Sequence, residues 1–360
     1  MKISICIPHY NRAQYLIKVL ESIQNQDYTK LEVIISDDCS SDDSEVVIPD
    51  YIKKVSDSVN PIKFTYIRQP KNLGYDGNLR ASLEGGTGDY LFTLGNDDAL
   101  AEINTISLLV EKLQTLELPE IAFVNVCEYS DKSVIARRAQ KTQVIGKGPF
   151  IAAFIFRSFS FVGGLAIKRE EFKKHDTNLY DGTVYYQMYL AGRIIAAGGK
   201  VASIDESMIA KDVKIEGTKA NSYLDFLAAK NKTIHKEFGG LDQVGRVACE
   251  AILPYVEDNN RAKIINSVYG QLLKFTYPFW LYDYRKNKVF KASLNLAIGC
   301  FPTSLVKIQD IKLISWFYLF YIYLFSTAGG LLIPTSIVTK LKGYFFSKSK
   351  SLSKLKTINN

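Results

Sequence analysis

The 360-residue chain is 47% hydrophobic and 23% charged, the balance of a globular protein with room for about two domains. Its formal charge of +8 is concentrated at one end. From residue 311 onward there are seven lysines and no arginine or acid, so 38 of the 45 basic residues face 37 acids in the rest. A nearly neutral body argues against a nucleic-acid binder, and a lysine-rich end beside an apolar segment points to anionic lipid. Five scattered cysteines without a C-x-x-C pair, and three isolated histidines, argue against a disulfide framework and a zinc site. The apolar run "ISICI" is too short for a signal peptide, which places the body in the cytosol as an expectation.

In chain order, "ISICI" (3–7) reads as a strand. Residues 14–25 read as an amphipathic helix with Leu16, Leu20 and Ile23 on one stripe. "LEVIIS" (31–36) and "KFTYIR" (63–68) are further strands. A helix near 78–84 leads to the strand "DYLFTL" (89–94), and a helix around 104–116 leads to "IAFVNV" (121–126). Such alternation predicts an α/β fold with a mostly parallel sheet covered on both faces. "FSFVGGLAIKREEF" (159–172) reads as a strand with a double glycine entering a charged helix, and 185–199 as an amphipathic helix with a glycine stop. Residues 222–290 read as mainly helical. From Leu313 to Thr339 there is no charge, which is long enough for a membrane span. "STAGGLLIP" (326–334) reads as a break that turns the segment into a membrane-associating helical hairpin.

The polar clusters fall where an α/β sheet binds ligands, beyond the carboxyl ends of its strands. "PHYN" follows the first strand, with Pro8 ending it and Asn11 able to cap the next helix. Tyr10 there could stack on a base. "DDCSSDD" follows the second strand, where Asp38 could accept hydrogen bonds from a base or ribose and Asp42 or Asp43 caps a helix. "GNDD" follows the strand ending at Leu94. Two adjacent carboxylates on a turn supply hard oxygen ligands for a divalent ion on a diphosphate, and a plain turn is the competing reading. Three such clusters on one edge favour a single nucleotide site.

The joint pattern "SICIPHYNR … LEVIISDDCSSDDS … NLGYDGNLRASLEGGTGDYLFTLGNDDAL" resembles the inverting glycosyltransferases of family 2, with the GT-A fold, and within them members that build bacterial O-antigen or capsule. The resemblance is strong over 1–130 and weaker over 155–200. It implies that Pro8, Tyr10 and Asn11 line the nucleotide, that Asp38 with Asp37 beside it binds the base, and that Asn72 and Gly74 lie near the nucleoside. It further implies that Asp97 and Asp98 contact the ribose and a Mn²⁺ or Mg²⁺ on the diphosphate. The implied partners are a nucleotide-sugar donor and a saccharide acceptor, lipid-linked at the cytosolic face of the membrane.

Two positions depart from the family pattern. Asn96 stands where the first acid of the D-x-D motif would be. The Glu-Asp pair that carries the general base is replaced by "YYQM" at the start of the 186–197 helix, which leaves Asp181 as candidate base, with Asp176 and His175 behind it. The resulting division is a catalytic domain over 1–215 (1–130 for the nucleotide sugar, 131–215 for the acceptor), a helical extension over 216–310, and the apolar hairpin with basic tail over 311–360. A non-catalytic membrane-bound scaffold is the alternative of another class. A sugar-nucleotide pyrophosphorylase or a dinucleotide dehydrogenase would need a glycine-rich loop after the first strand, and "IPHYNRAQ" has no glycine.

Overall fold

The computed structural model describes residues 1–56, 62–136, 138–215, 241–302, 312–334 and 337. The chain divides into two compact units, Met1–Ala220 with Glu250–Val256, and Asn221–Cys249 with Glu257–Asn360.

In the first unit, β1 (Ile3–His9), β2 (Leu31–Asp37), β3 (Lys63–Arg68) and β4 (Tyr90–Thr93) pair side by side in parallel, in the order β3-β2-β1-β4. The unbroken apolar runs of β1 and β2 follow from burial on both faces. The crossovers are α1 (Ala13–Gln24), α2 (Ser44–Ser56) and α3 (Gly74–Glu84). α1 buries Leu16, Val19, Leu20 and Ile23 as one stripe against the sheet. Beyond β4 the sheet continues through the short β5 (Ala99–Leu100), α4 (Thr105–Thr115) and β6 (Ile121–Glu128). Then come β7 (Val134–Ala136), β8 (Gln143–Gly146), α5 (Pro149–Ile155) and a 3₁₀ turn at Phe156–Phe159. The unit closes with β9 (Leu165–Lys168), α6 (Arg169–His175), α7 (Tyr186–Ala196) and β10 (Val201–Lys211). β9 runs antiparallel to both β4 and β6, and β10 parallel to β6. Chemistry-bearing loops therefore leave β1, β2, β3, β4, β6 and β10 at the same edge.

Pro8 does not end its strand: β1 runs on to His9, which pairs with Asp37. The reason is the alternation of the ladder. Cys6 and Pro8 turn their backbone groups toward β4, and β4 ends opposite Cys6, so the missing N–H of Pro8 removes no ladder bond. The opposite edge is tied by Glu32. Its buried carboxylate accepts from Lys2 Nζ (2.6 Å), Ser4 Oγ (2.6 Å), and Thr87 N (2.7 Å) and Oγ1 (2.8 Å). One side chain thus joins β1, β2 and the turn into β4.

Of α8 (Leu241–Ile252), the first helix described after residue 215, residues 241–249 belong to the second unit. α9 (Asp258–Gln271) continues through a π turn at Leu272–Thr276 into α10 (Tyr277–Lys286), followed by α11 (Phe290–Gly299) and α12 (Leu313–Leu332). The break expected at 326–334 comes only at the end of that stretch. α12 runs through Ser326–Gly330 and stops only at Leu332, before Pro334. Gly330 lies against α10, where a Cβ would come within 2.8 Å of Leu281 Cδ1. Arg285 donates to the terminal carbonyls of Gly330 (2.5 Å) and Ile333 (3.1 Å). Gly330 therefore serves close helix packing, and the second arm of the expected hairpin falls outside the described residues. α12 is, among the described residues, one helix long and apolar enough to cross a membrane.

Burial alone would push the Glu32 carboxyl up, but the hydrogen bonds from Lys2, Ser4 and Thr87 outweigh it and hold it at about 2. A depressed carboxylate stabilises the fold above its unfolded value near 4.5, and that contribution is lost as pH falls toward 2. Glu32→Gln should cost about 2 kcal/mol at pH 7 by urea unfolding, with the deficit shrinking steadily below pH 4.5.

Candidate active site

The loops after β1 and β2 are built as one object. Asn11, in the left-handed region at φ 50°, accepts at Oδ1 from the backbone N–H of Ser41 (2.7 Å) and Asp42 (3.3 Å), and its own N–H donates to Ser40 Oγ (2.9 Å). Asp42 returns the contact, taking Ala13 N (3.1 Å) on one oxygen and Ser44 N (3.1 Å) on the other. Asp42 thus satisfies the first turns of both α1 and α2. Asn11 does not cap α1 as the sequence suggested, because its side chain is committed to the neighbouring loop. Tyr10 projects from this pair of loops and is 46% exposed.

Asp37 and Asp38 have different environments. Asp37 is buried, and its oxygens take Ser40 N (3.0 Å), Ser40 Oγ, the Tyr66 hydroxyl and Arg68 Nη1 (3.3 Å). It acts as a strut beneath the loop. Asp38 Oδ1 accepts from Leu73 N (2.5 Å), and Gly74 N–H also points to this carboxylate, which burial raises above its ordinary range. Asn72 bridges Asp38 O (3.3 Å) and Gly74 N (3.0 Å). Gly74 has φ 75° with no neighbour within 4 Å of a built Cβ, so its backbone conformation is what calls for glycine.

The "GNDD" turn is held from three sides. Asn96 Nδ2 lies 3.2 Å from Nδ1 of His9, whose Nε2 is 2.8 Å from Ser44 Oγ. Burial lowers the His9 pKa, so the ring is neutral, accepting from Asn96 and donating to Ser44. Asn96 therefore shapes the turn. Asp97 is ion-paired with Arg12. Its carbonyl accepts from Val213 N (2.8 Å), and Asp98 Oδ1 accepts from Asp212 N (3.3 Å), so the end of β10 also closes on the turn. Asp98 is 3% exposed, and its carboxyl is pushed up to about 7, by burial first and then by the charge of Asp97. Lys211 works against that shift. The half-buried Arg138 donates to the carbonyls of Val124 (3.0 Å), Ser158 (3.2 Å), Phe161 (3.0 Å) and Gly163 (2.7 Å). Burial weighs against its charge and Asp98 supports it. His9, Arg12, Arg138 and Lys211 were not singled out in the sequence. His9, inside "PHYN", and Arg12, one residue past it, had a local signal.

Among the described residues no three His, Cys, Asp or Glu side chains cluster, so the protein offers a pair of hard oxygen donors rather than a cage. That donor set fits Mg²⁺ or Mn²⁺, which keep waters and take phosphate oxygens. The unfavourable carboxylate pair, with Asp98 pushed up by burial and by Asp97, is the electrostatic situation that a divalent cation relieves.

The start of α7 carries no acid of its own. Its N-terminal amides are instead capped by Asp76 from α3, which accepts from Val184 N (2.7 Å) and Tyr186 N (3.1 Å). Arg80, one turn along α3, makes a two-pronged pair with Asp176 (2.9 and 3.2 Å) and reaches Asp181 (3.2 Å). Asp176 also accepts from the Tyr186 hydroxyl, and despite burial these bonds hold it low. Asp181 is raised, by burial first, and its side chain is partly open. His175 is enclosed beside Glu171 at 3.3 Å.

Strand order, a crossover-linked parallel half-sheet and an acidic turn after its fourth strand make this a GT-A fold. The mannosyltransferase PcManGT of Pyrobaculum calidifontis, solved with GDP-Man and Mn²⁺, shares it with a TM-score of 0.53 over 99% of this chain and 88% of that one, at 16% identity. Residues 4–179 match the model of Glycosyl transferase family 2, so the first unit carries a family 2 glycosyltransferase domain. Abequosyltransferase RfbV of Salmonella typhimurium is 41% identical over 104 residues, 28% of this chain and 30% of that protein. The GalNAc(5)-diNAcBac-PP-undecaprenol beta-1,3-glucosyltransferase of Campylobacter jejuni is 37% identical over 111 residues, 31% and 34% of the two chains. The chain thus spans about a third of the length of these relatives.

A carboxyl raised by folding favours the native state at low pH and loses that contribution as pH rises through 7. Asp98→Asn should therefore raise the thermal midpoint of the metal-free protein at pH 8 and leave it nearly unchanged at pH 4. The same variant should show none of the Mn²⁺ stabilisation expected of the wild type in a thermal-shift measurement.

Proposed function

We propose that the protein transfers a sugar from a nucleotide-sugar donor to a hydroxyl of a growing bacterial surface saccharide. The observation that carries this reading is the meeting of the 9–12, 37–42, 72–74 and 95–98 loops at one edge of β1–β4, with residues 211–213 closing on the last of them. The Campylobacter relative is named for an undecaprenol-linked acceptor, which supports a lipid-linked saccharide here, presented at the cytosolic leaflet. The apolar α12 and the lysines after it support attachment to that surface.

In this reading Asp38, with the 72–74 loop locked onto it, receives the nucleoside, and Tyr10 covers it. Asp97 and Asp98 would hold a divalent cation, which when bound neutralises charge on the departing diphosphate. The acceptor oxygen forms its bond to the anomeric carbon as the bond to the diphosphate breaks, with inversion by family likeness. Its proton passes to Asp181, raised by burial and oriented by Arg80. Asp176 positions Arg80. The acid-free first turn of α7 favours the scaffold alternative, which predicts donor binding without turnover.

A thermal-shift screen of nucleotide sugars with and without Mn²⁺ should show one donor that raises the midpoint only when metal is present. Asp98→Ala should abolish transfer, and unchanged turnover would refute the metal assignment. Asp181→Asn should lower kcat about 100-fold or more with KM nearly unchanged. Asp176→Asn should also lower the thermal midpoint, because it breaks the pair with Arg80.

A further inference from the structure

We propose that the second unit docks flat on an anionic lipid surface through apolar faces of both α11 and α12, and that α12 lies in the interface without crossing the bilayer. This rests on the membrane part of the reading above and sets its geometry.

One side of α12 is packed and the other is open. Ser315, Leu319, Tyr323 and Gly330 are buried. Ile314 (77% exposed), Phe317, Tyr321, Phe325 (78% exposed) and Leu332 form an outward stripe at helical spacing. The packed side is tied along its length to α9 and α10. Asn266 donates to Ser315 (3.1 Å), Lys274 to the Tyr318 hydroxyl (2.9 Å), the Tyr277 and Thr327 hydroxyls meet at 2.8 Å, and Arg285 holds the carboxyl end. A crossing α12 would draw Lys274 and Arg285, both bonded to it, into the bilayer, where charged side chains are strongly disfavoured. A helix lying in the plane buries only its stripe and leaves those charges on the watery side.

α11 supplies a second stripe. Phe290 (66% exposed), Leu294 and Ile298 recur every four residues, while Ala292, Ser293, Leu296 and Ala297 face inward. The two helices join where the Tyr323 hydroxyl donates to Ala297 O (2.9 Å) and the Phe301 ring meets Phe320 and Tyr323. Open apolar area on two joined helices exceeds what isolated exposed side chains explain. The charge around it selects the occupant. Lys288 and Lys291 flank Phe290, Lys312 precedes α12, and six more lysines follow residue 339 without an acid. That is complementary to anionic headgroups.

The test uses the full chain with vesicles of phosphatidylcholine alone or mixed with phosphatidylglycerol, read by co-sedimentation without donor or acceptor. Wild type should bind the anionic vesicles and be weakened by salt, and Phe290→Ser/Leu294→Ser/Ile298→Ser should lower partitioning about tenfold. Nitroxides placed singly at 314, 317, 321, 325 and 332 in a Cys39→Ser background should report one shallow depth. A profile deepest in the middle of α12 would refute flat docking while leaving membrane attachment in place. Unchanged binding of the triple variant would remove α11 from the face. Failure of wild type to bind, or a dimer forming in its place, would overturn both this proposal and the membrane part of the functional reading. Neither result would bear on sugar transfer, which the donor screen reads separately.

Discussion

The parallel register of β1 with its two neighbours is the constraint on which the site depends. Ile3 is level with both Leu31 and Tyr90, so three strands start together, and Glu32 ties that starting edge with bonds to Lys2, Ser4 and Thr87. Strands that start level and run parallel deliver their loops to the same far edge. The Asn11–Asp42 interlock and the His9–Asn96 contact are only possible because of that alignment. A one-residue slip of β1 would turn its alternating side chains to the wrong faces and separate these loops.

At the far edge the architecture concentrates charge that the fold only partly balances. Asp97 has Arg12, Asp176 has Arg80, and Asp37 has Arg68. Asp98 is enclosed beside Asp97, with Lys211 and Arg138 as its surrounding cations. A carboxyl raised by burial and by a neighbouring carboxylate is stabilised in its ionised form by any added positive charge. The start of α7 shows the same economy in neutral form. Its free amides are answered by Asp76 from another helix, so the helix can begin "YYQM" without an acid and still be stable.

Much of the fold was legible because burial on both faces leaves a plain signature. The runs 3–7, 31–36 and 121–126 are too apolar to be half-exposed strands, and each lies within a buried strand of the sheet, while 63–68 forms the partly exposed edge strand β3. β10 was missed, since "VASIDESMIAK" mixes polar residues into a strand with register shifts against β6. The double glycine of 163–164 precedes β9 instead of interrupting it. The helix persists through Ser326–Gly330 for a tertiary reason: Gly330 accommodates Leu281, and packing against α10 stabilises a stretch that local propensity would weaken.

The sequence by itself determined the α/β class, the strand-end placement of Tyr10, Asp38, Asn72 and the Asp97–Asp98 pair, and the concentration of positive charge near one end. These are consequences of periodicity and residue chemistry, which need no partner to be read. Only the tertiary structure decided that Asp37 is a strut while Asp38 faces the 72–74 loop, that Asp176 is locked by Arg80 and Tyr186, and that α12 has one packed and one open side. Each of those distinctions depends on a residue far along the chain arriving within hydrogen-bonding or van der Waals distance, which no local pattern encodes.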